Sequence, residues 1–236
     1  MFEVCGVTKR FGGLTAVSEA SLVISPGEIV GVIGPNGAGK STLFSVIAGV
    51  LKPEEGVVRT GDEVLTGMPP HKLARVGVAR TFQTPRPFGG LTVRDNMVVA
   101  AHTVERRTAE AQKWADACLE RIGMSDMADV SASALPLGMR KRLEVGRALA
   151  TKPRLLLLDE VLGGLNPGEI ETMVRLIREL RDDGIAVCMV EHAMAIIMSL
   201  CDRIYVIDHG VVISSGTPQE VSSDQTVIDA YLGGSV

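Results

Sequence analysis

The chain has 236 residues, 46% of them hydrophobic, and a formal net charge of −4 at pH 7. This length and apolar content predict one large domain, or a core into which a smaller lobe is inserted. The acidic balance and the absence of any long run of Lys or Arg argue against nucleic acid as a partner.

The cysteines and the apolar segments narrow the class of protein further. The four cysteines lack C-x-x-C spacing, which favours reduced core thiols over a metal site or a disulfide framework. No basic segment precedes an apolar one at the start, so no signal peptide is expected. The longest apolar-rich stretch, residues 185–201, is interrupted by Glu191 and His192 and is not expected to cross a membrane. Any membrane association is therefore expected to come through a partner.

Two strands are predicted first, starting at Phe2 and Ser21 and joined by the segment TKRFGGLTAV. Phe11 stands alone in that segment among small and polar residues. An exposed aromatic ring just before a glycine-rich loop is placed to stack on a nucleobase. Covering a sheet edge is an equally good interpretation of Phe11 at this point.

The segment GPNGAGKS, from Gly34 to Ser41, fits the phosphate-binding pattern G-x-x-x-x-G-K-[ST] between the apolar strand 29–33 and a helix opening at Thr42. Its glycines let backbone N–H groups wrap a polyphosphate, and the positive end of the helix faces the same anion. Lys40 is expected to bridge the β- and γ-phosphates, and the Ser41 hydroxyl to reach Mg²⁺. The predicted nucleotide-binding residues here are Gly34, Pro35, Asn36, Gly37, Ala38, Gly39, Lys40, Ser41 and Thr42.

The middle of the chain changes from strand to helix. A strand from Gly77 is predicted to end in Gln83, where a proline-rich segment follows. Helix is predicted from Asp95 to about Gly123 and again from near Gly138, so this region reads as a helical insertion in an α/β protein. The second helix carries basic residues in its first turn, which suits either a visiting anion or a solvated surface.

Two acids follow the next buried strand, at Asp159 and Glu160. Open α/β folds place their ligands at the carboxyl ends of such strands. The chemical interpretation is that Asp159 holds Mg²⁺ while Glu160 orients or deprotonates the attacking water. A pair of acids at a helix entry is the alternative, but the phosphate loop on the same chain favours the chemical interpretation.

The last third alternates helix and strand. A helix with Asn166 as N-cap and Glu169 completing a capping box is predicted to lead to a strand at residues 185–190, which ends just before His192. A histidine at a strand end can contact a γ-phosphate, although a lone histidine is more often structural. A hairpin around His209, then a helix and short exit over 218–236, complete the prediction.

These motifs stand in an order that resembles the nucleotide-binding subunit of ATP-binding-cassette transporters: GPNGAGKST, Gln83, LPLGM, LLLLDE, GLN and His192. The resemblance covers nearly the whole chain. It implies an α/β fold of the ABC ATPase type, with a P-loop core on a mainly parallel sheet and an N-terminal antiparallel β part. It also implies one domain over 1–236 with an inserted helical subdomain at about 84–150.

Within that family, the segments ARTFQTPRPFGGLTVRDNMVVA, DEVLGGLNP and VIDAYLG resemble ATP-binding subunits of branched-chain amino acid importers. The resemblance then implies a Mg²⁺-dependent ATPase that powers import of branched-chain or other hydrophobic amino acids. It also implies membrane-spanning permease subunits, a second ATP-binding subunit, and a periplasmic or extracellular solute-binding protein acting indirectly. The implied location is peripheral, at the cytoplasmic face of the membrane.

The resemblance also implies residue roles. Phe11 would stack on adenine, Gln83 would sense Mg²⁺ and water, His192 would contact the γ-phosphate, and Gly138 would close over the ATP of the second subunit. Pro136, Leu137 and Met139 depart from the family pattern, which usually has Ser, Gly and Gln there. Proline has no hydroxyl or N–H to give a phosphate.

Two other functions fit the motifs. One is a soluble cassette protein that clamps DNA or ribosomes with ATP, against which the acidic balance and the lack of a second cassette argue. The other is a regulatory module that binds ATP but hydrolyses it weakly because of the altered signature. Glu160 argues against that module, since pure binding has no evident use for a base.

Overall fold

The computed structural model describes residues 1–232. No helix in that part of the chain is both long and apolar enough to cross a membrane. The predicted exit at the C-terminus lies partly outside the described residues.

The N-terminal strands form an antiparallel sheet with the order β2-β1-β4-β5. Its strands are β1 (Phe2–Phe11), β2 (Leu14–Ile24), β4 (Glu55–Thr60) and β5 (Glu63–Val64). The segment TKRFGGLTAV is therefore not a connection, because β1 and β2 continue through it as a hairpin that turns at Gly12 and Gly13. The exposed, polar ends of these strands carry little apolar alternation, and alternation is the signal that the strand prediction needed.

The second sheet has the order β10-β9-β3-β8-β7-β6. It is parallel from β9 to β6, and β10 pairs antiparallel with β9. Its strands are β3 (Ile29–Ile33), β6 (Val78–Arg80), β7 (Leu155–Asp159), β8 (Ala186–Val190), β9 (Arg203–Asp208) and β10 (Val211–Gly216). The predicted α/β class with a mainly parallel sheet and an N-terminal antiparallel part is confirmed.

Helices cover both faces of this sheet and fill the region between β6 and β7. They are α1 (Lys40–Ile47), α2 (Pro70–Arg75), α3 (Val93–Ala101), α4 (Thr108–Arg121), α5 (Leu137–Ala150), α6 (Pro167–Asp182), α7 (Met194–Leu200), α8 (Pro218–Ser223) and α9 (Gln225–Leu232). The helical insertion is confirmed, whereas its treatment as a subdomain over 84–150 stays a prediction. The single helix expected from Asp95 to Gly123 is two helices, since the chain leaves helical geometry between residues 102 and 107.

The strands of the parallel sheet are buried on both faces. In β3, Ile29 and Ile33 join a core with the inserted helices, while Val30 and Val32 join a core with α1 and the antiparallel sheet. This alternation follows from the two-residue period of a strand, and a sheet covered on both faces needs a continuous apolar sequence. Because these strands are parallel, their carboxyl ends lie at one edge of the sheet, and the candidate site is at that edge.

Candidate active site

The phosphate loop connects β3 to α1 and requires glycine at two points. Gly34 has φ 154° and Gly39 has φ 106°. A Cβ on Gly34 would overlap the carbonyl oxygen of Ile207, and one on Gly39 would overlap that of Ala16. The loop is therefore packed directly against neighbouring backbone, and any larger residue would displace it.

Helix α1 begins at Lys40 without a side-chain cap and without an acid in its first turn. Its first N–H groups and its dipole are left for an external anion. Lys40 is 6% exposed, and its Nζ donates to the carbonyl oxygens of Gly34 at 2.7 Å and Pro35 at 2.8 Å. Burial lowers the pKa of Lys40 below its ordinary value. The loop thus holds its own lysine at the place where a phosphate is expected.

A cavity of about 350 Å³ opens in front of the loop. Its lining joins loop residues 36–42 to Phe11, Leu14 and Ala16 of the β1–β2 hairpin, and to Glu160 and His192 from later in the sequence. Phe11 is 47% exposed at the end of β1, as the stacking interpretation requires.

Asp159 ends β7 and is almost fully buried. Its Oδ2 accepts from an Arg80 guanidinium nitrogen at 2.8 Å, and its N–H donates to the Thr81 hydroxyl at 3.1 Å. Arg80 also donates to the Ser45 hydroxyl on α1 at 3.1 Å. The ion pair offsets the cost of burying the carboxylate and fixes its orientation.

Glu160 follows at once, and each of its carboxylate oxygens has a separate partner. Oε2 accepts from Gln83 Nε2 at 2.6 Å, and Oε1 accepts from His192 Nε2 at 2.9 Å. The two predicted strand-end residues are therefore brought onto the predicted base. Gln83 is not on a strand, because β6 ends at Arg80 and the chain bends at Gln83.

The altered signature segment, residues 135–139, lies at the start of α5. Pro136 is the N-cap and is exposed, as is Leu137, whereas Gly138 is buried. A Cβ on Gly138 would overlap the Glu169 carboxylate of the same subunit. The structure thus gives Gly138 an internal packing role, and its predicted contact with a second subunit stays a prediction.

Two basic residues at the start of α5 donate to carbonyl oxygens of their own chain. Arg140 donates through Nε to the Leu135 carbonyl at 2.6 Å, and Lys141 donates to the carbonyl oxygens of Glu160 and Gly163. They satisfy carbonyl oxygens of their own chain. The visiting-anion interpretation of this turn stays a prediction.

Several contacts of the site were not foreseen from the sequence. Arg80 and Thr81 hold Asp159, and Lys141 reaches the main chain of Glu160. A usable signal existed for Arg80, since a charged residue closes the otherwise small and apolar strand just before Gln83. No sequence spacing indicates that Lys141 folds back from α5 to β7.

The chain matches two models of known protein families. The model of the family described as ABC transporter matches residues 17–163. The chain belongs to the ABC transporter family. A second model, described as Branched-chain amino acid ATP-binding cassette transporter, matches residues 211–236.

Several relatives align with this ABC protein along nearly its whole length. It is 39% identical to the high-affinity branched-chain amino acid transport ATP-binding protein BraF of Pseudomonas aeruginosa, with 99% of this chain and 98% of BraF covered. It is 41% identical to LivG of Escherichia coli K12, a protein of the same description, with the same coverage. It is 33% identical to the lipopolysaccharide export system ATP-binding protein LptB of E. coli K12, with 96% of this chain and 95% of LptB covered.

Solved structures agree with the family assignment. The ADP conformation of MJ1267, an ATP-binding cassette of an ABC transporter, has a TM-score of 0.90 at 32% identity, covering 99% of this chain and 98% of that one. A nucleotide-free ATP-binding cassette has a TM-score of 0.89 at 31% identity, covering 98% of each chain. This ABC protein therefore has the ATPase cassette fold, binds ATP, and is an ATPase subunit coupled to transport.

Proposed function

We propose that this chain is the ATP-hydrolysing subunit of an importer for branched-chain or other hydrophobic amino acids. The observation that carries the proposal is the identity of about 40% to BraF and LivG over nearly their full length, together with the C-terminal match. LptB, named for lipopolysaccharide export, is less similar. Non-transport and purely regulatory functions have no comparable support.

ATP binds in the cavity in front of the phosphate loop. The adenine base stacks on Phe11, and residues 36–42 donate backbone N–H groups to the phosphates. Lys40 exchanges its two carbonyl partners for phosphate oxygens. A charge-assisted contact from Lys40 is worth on the order of 1.5–3 kcal/mol. The phosphate also supplies a negative charge beside the Lys40 ammonium group, whose burial is otherwise unfavourable.

The oxygen donors near the loop fit Mg²⁺. No group of three or more His, Cys, Asp or Glu in the described residues could hold a metal by itself. Mg²⁺ is usually held by one or two protein oxygens plus substrate phosphates, so a sparse donor set is what it requires. Ser41, Gln83 and Asp159 would hold it, and the ion would neutralise charge on the transferred phosphoryl group.

Glu160 acts as the general base. Its carboxylate takes a proton from the water that attacks the γ-phosphate, while Gln83 and His192 hold the two oxygens in place and face the same phosphate. A base anchored at both oxygens keeps its direction of approach, which positions the water.

A second ATP-binding subunit, identical or homologous, completes each site. The exposed start of α5 at Pro136 and Leu137, with the Gly138 backbone, faces the nucleotide bound by that subunit. The chain alone is then monomeric, and ATP held without hydrolysis favours the dimer by filling the shared sites. Light scattering of a Glu160→Gln chain with ATP and Mg²⁺ tests this, and an unchanged monomer mass at saturating ATP would contradict it.

The permease subunits dock in an apolar groove of about 360 Å³ beside β6, α3 and α5. Phe82, Phe88 and Val99 line it and are exposed. Arg147 lies over the Phe88 ring at 5.0 Å and donates to the Arg86 carbonyl at 3.0 Å, which ties the segment after Gln83 to α5. A segment seated there would move Gln83 and hence the base it contacts.

Cysteine cross-linking tests the dock. In a Cys5→Ser background, a cysteine replacing Phe88 should cross-link to the permease, whereas one replacing Val211, an exposed apolar residue outside the groove, should not. Equal cross-linking from both positions would remove the groove from the proposal.

Transport tests the function itself. The genes beside this one are expected to encode permease subunits and a periplasmic or extracellular binding protein, with the ATPase at the cytoplasmic face. Proteoliposomes of that assembly should accumulate leucine when ATP is enclosed with the ATPase subunit, and a Glu160→Gln assembly should not. Hydrolysis of ATP by the assembly without uptake of any hydrophobic amino acid would contradict the importer assignment.

A further inference from the structure

Lys141 is a buried lysine of α5 that lies beside the turn following β7. It is 6% exposed, and its Nζ donates to the carbonyl oxygens of Glu160 at 2.8 Å and Gly163 at 2.6 Å. Burial lowers the pKa of Lys141, while the nearby carboxylates of Glu191 and Glu160 act in the opposite direction. The Lys141 ammonium group is therefore held by charge-assisted hydrogen bonds to the main chain of its own subunit.

The main chain that Lys141 contacts has an unusual conformation. Glu160 has φ 49°, in the left-handed region that residues with a Cβ rarely adopt. Such conformations persist only where surrounding contacts enforce them, and they cluster at functional sites. The hydrogen bond from Lys141 falls directly on the carbonyl of that residue.

Two further contacts of the turn come from the end of β8 and from the residue that follows it. The Glu160 N–H donates to the Val190 carbonyl at 2.9 Å, and the Leu162 N–H donates to Glu191 Oε1 at 2.7 Å. Lys141 approaches from α5, the helix that begins with the altered signature segment. The turn is thus held between the sheet and the inserted helices.

We propose that Lys141 is a positioning residue for hydrolysis, which holds the Glu160 main chain so that the carboxylate stays between Gln83 and His192. The inference rests on the role of Glu160 as base proposed above. It also gives the start of α5 a direct connection to the residue that activates water. Lys141 is not among the residues that line the cavity in front of the phosphate loop.

The first measurement separates binding from turnover. Lys141→Met removes the donor and keeps the length of the side chain. We expect kcat to fall at least about tenfold, with KM and ATP affinity within about twofold of wild type, because the phosphate loop is untouched. Lys141→Arg, which keeps a charged donor, should retain most of the rate, and Lys113→Met, at an exposed lysine of α4, should change nothing.

A double-mutant cycle then asks whether Lys141 acts through Glu160. In single-turnover hydrolysis of radiolabelled ATP, Lys141→Met should cost about tenfold in the wild-type chain and less than about twofold in a Glu160→Gln chain. Lys141→Gln, which keeps one neutral donor, provides the same comparison if Lys141→Met does not fold.

Three outcomes overturn the inference. They are wild-type kcat in Lys141→Met, a loss in Lys141→Arg as large as in Lys141→Met, and equal losses in the two backgrounds of the cycle. A Glu160→Gln chain that hydrolyses ATP at the wild-type rate would instead overturn the proposed base, and the positioning role with it.

Discussion

At the scale of one residue, Gly138 belongs to a family motif but packs against its own subunit. Its Cα faces the Glu169 carboxylate, which also completes the capping box of α6. A side chain at 138 would therefore disturb two helices before it met any second subunit. For that reason a negative charge introduced at 138 cannot isolate the contact between subunits.

We predict that Gly138→Ala lowers the free energy of unfolding by no more than about 1 kcal/mol, because the methyl group displaces the flexible Glu169 carboxylate from the capping box of α6 while alanine is the better helix former. Urea unfolding measures it, and Gly90→Ala, where a Cβ meets open space, is the control. The cost should shrink in a Glu169→Ala background, since the overlapping carboxylate is gone. A loss well above about 1 kcal/mol for Gly138→Ala would contradict this, because it would show that the Glu169 side chain cannot move aside.

At the scale of elements, α6 is the helix that local sequence specifies best. The Asn166 side chain accepts from the Glu169 N–H at 3.0 Å, and the Glu169 carboxylate accepts from the Asn166 N–H at 3.0 Å. The predicted capping box is therefore confirmed. Pro167 stands at the first helical position, where its missing N–H costs nothing.

We predict that Asn166→Ala destabilises the chain by about 1 kcal/mol, the typical cost of losing an N-cap. Gln112→Ala, at an exposed position inside α4, should be neutral by comparison. Denaturant midpoints at equal slope decide the matter, and equal effects of the two substitutions would show that the cap contributes nothing.

Features with a local sequence signal could be predicted, whereas features that depend on tertiary contacts could not. The phosphate loop, the strand that ends in Asp159, and α6 were all predictable, because glycine spacing, a continuous apolar run and a capping box are local signals. The long hairpin of β1 and β2, the break between α3 and α4, and the early end of β6 were not. Each depends on which neighbour supplies hydrogen bonds, as when β6 pairs with β7 over three residues only. The contact from Lys141 to Glu160 is tertiary in the same sense.

At the scale of the whole molecule, burial decides which thiols can react. Cys5 is exposed, whereas Cys118, Cys188 and Cys201 are buried. Burial raises the pKa of Cys118 and of Cys201 to about 12, and it raises that of Cys188 as well. Thiolate is therefore scarce at the three core positions at any ordinary pH.

We predict that iodoacetamide at mildly alkaline pH labels Cys5 alone in the native chain and all four cysteines in denaturant. Mass spectrometry of tryptic peptides gives the answer. Rapid labelling of Cys188 in the native chain would mean that the parallel sheet opens readily.

The claim on which the whole account depends is that Lys40 binds the nucleotide while Glu160 breaks it down. The most direct test measures ATP affinity and steady-state Mg²⁺-ATP hydrolysis for wild type, Lys40→Ala and Glu160→Gln. We predict that Lys40→Ala loses about tenfold or more in affinity, whereas Glu160→Gln keeps its affinity and loses on the order of 100-fold or more in rate. A Glu160→Gln chain that turns over like wild type, or a Lys40→Ala chain that binds ATP like wild type, would contradict the account.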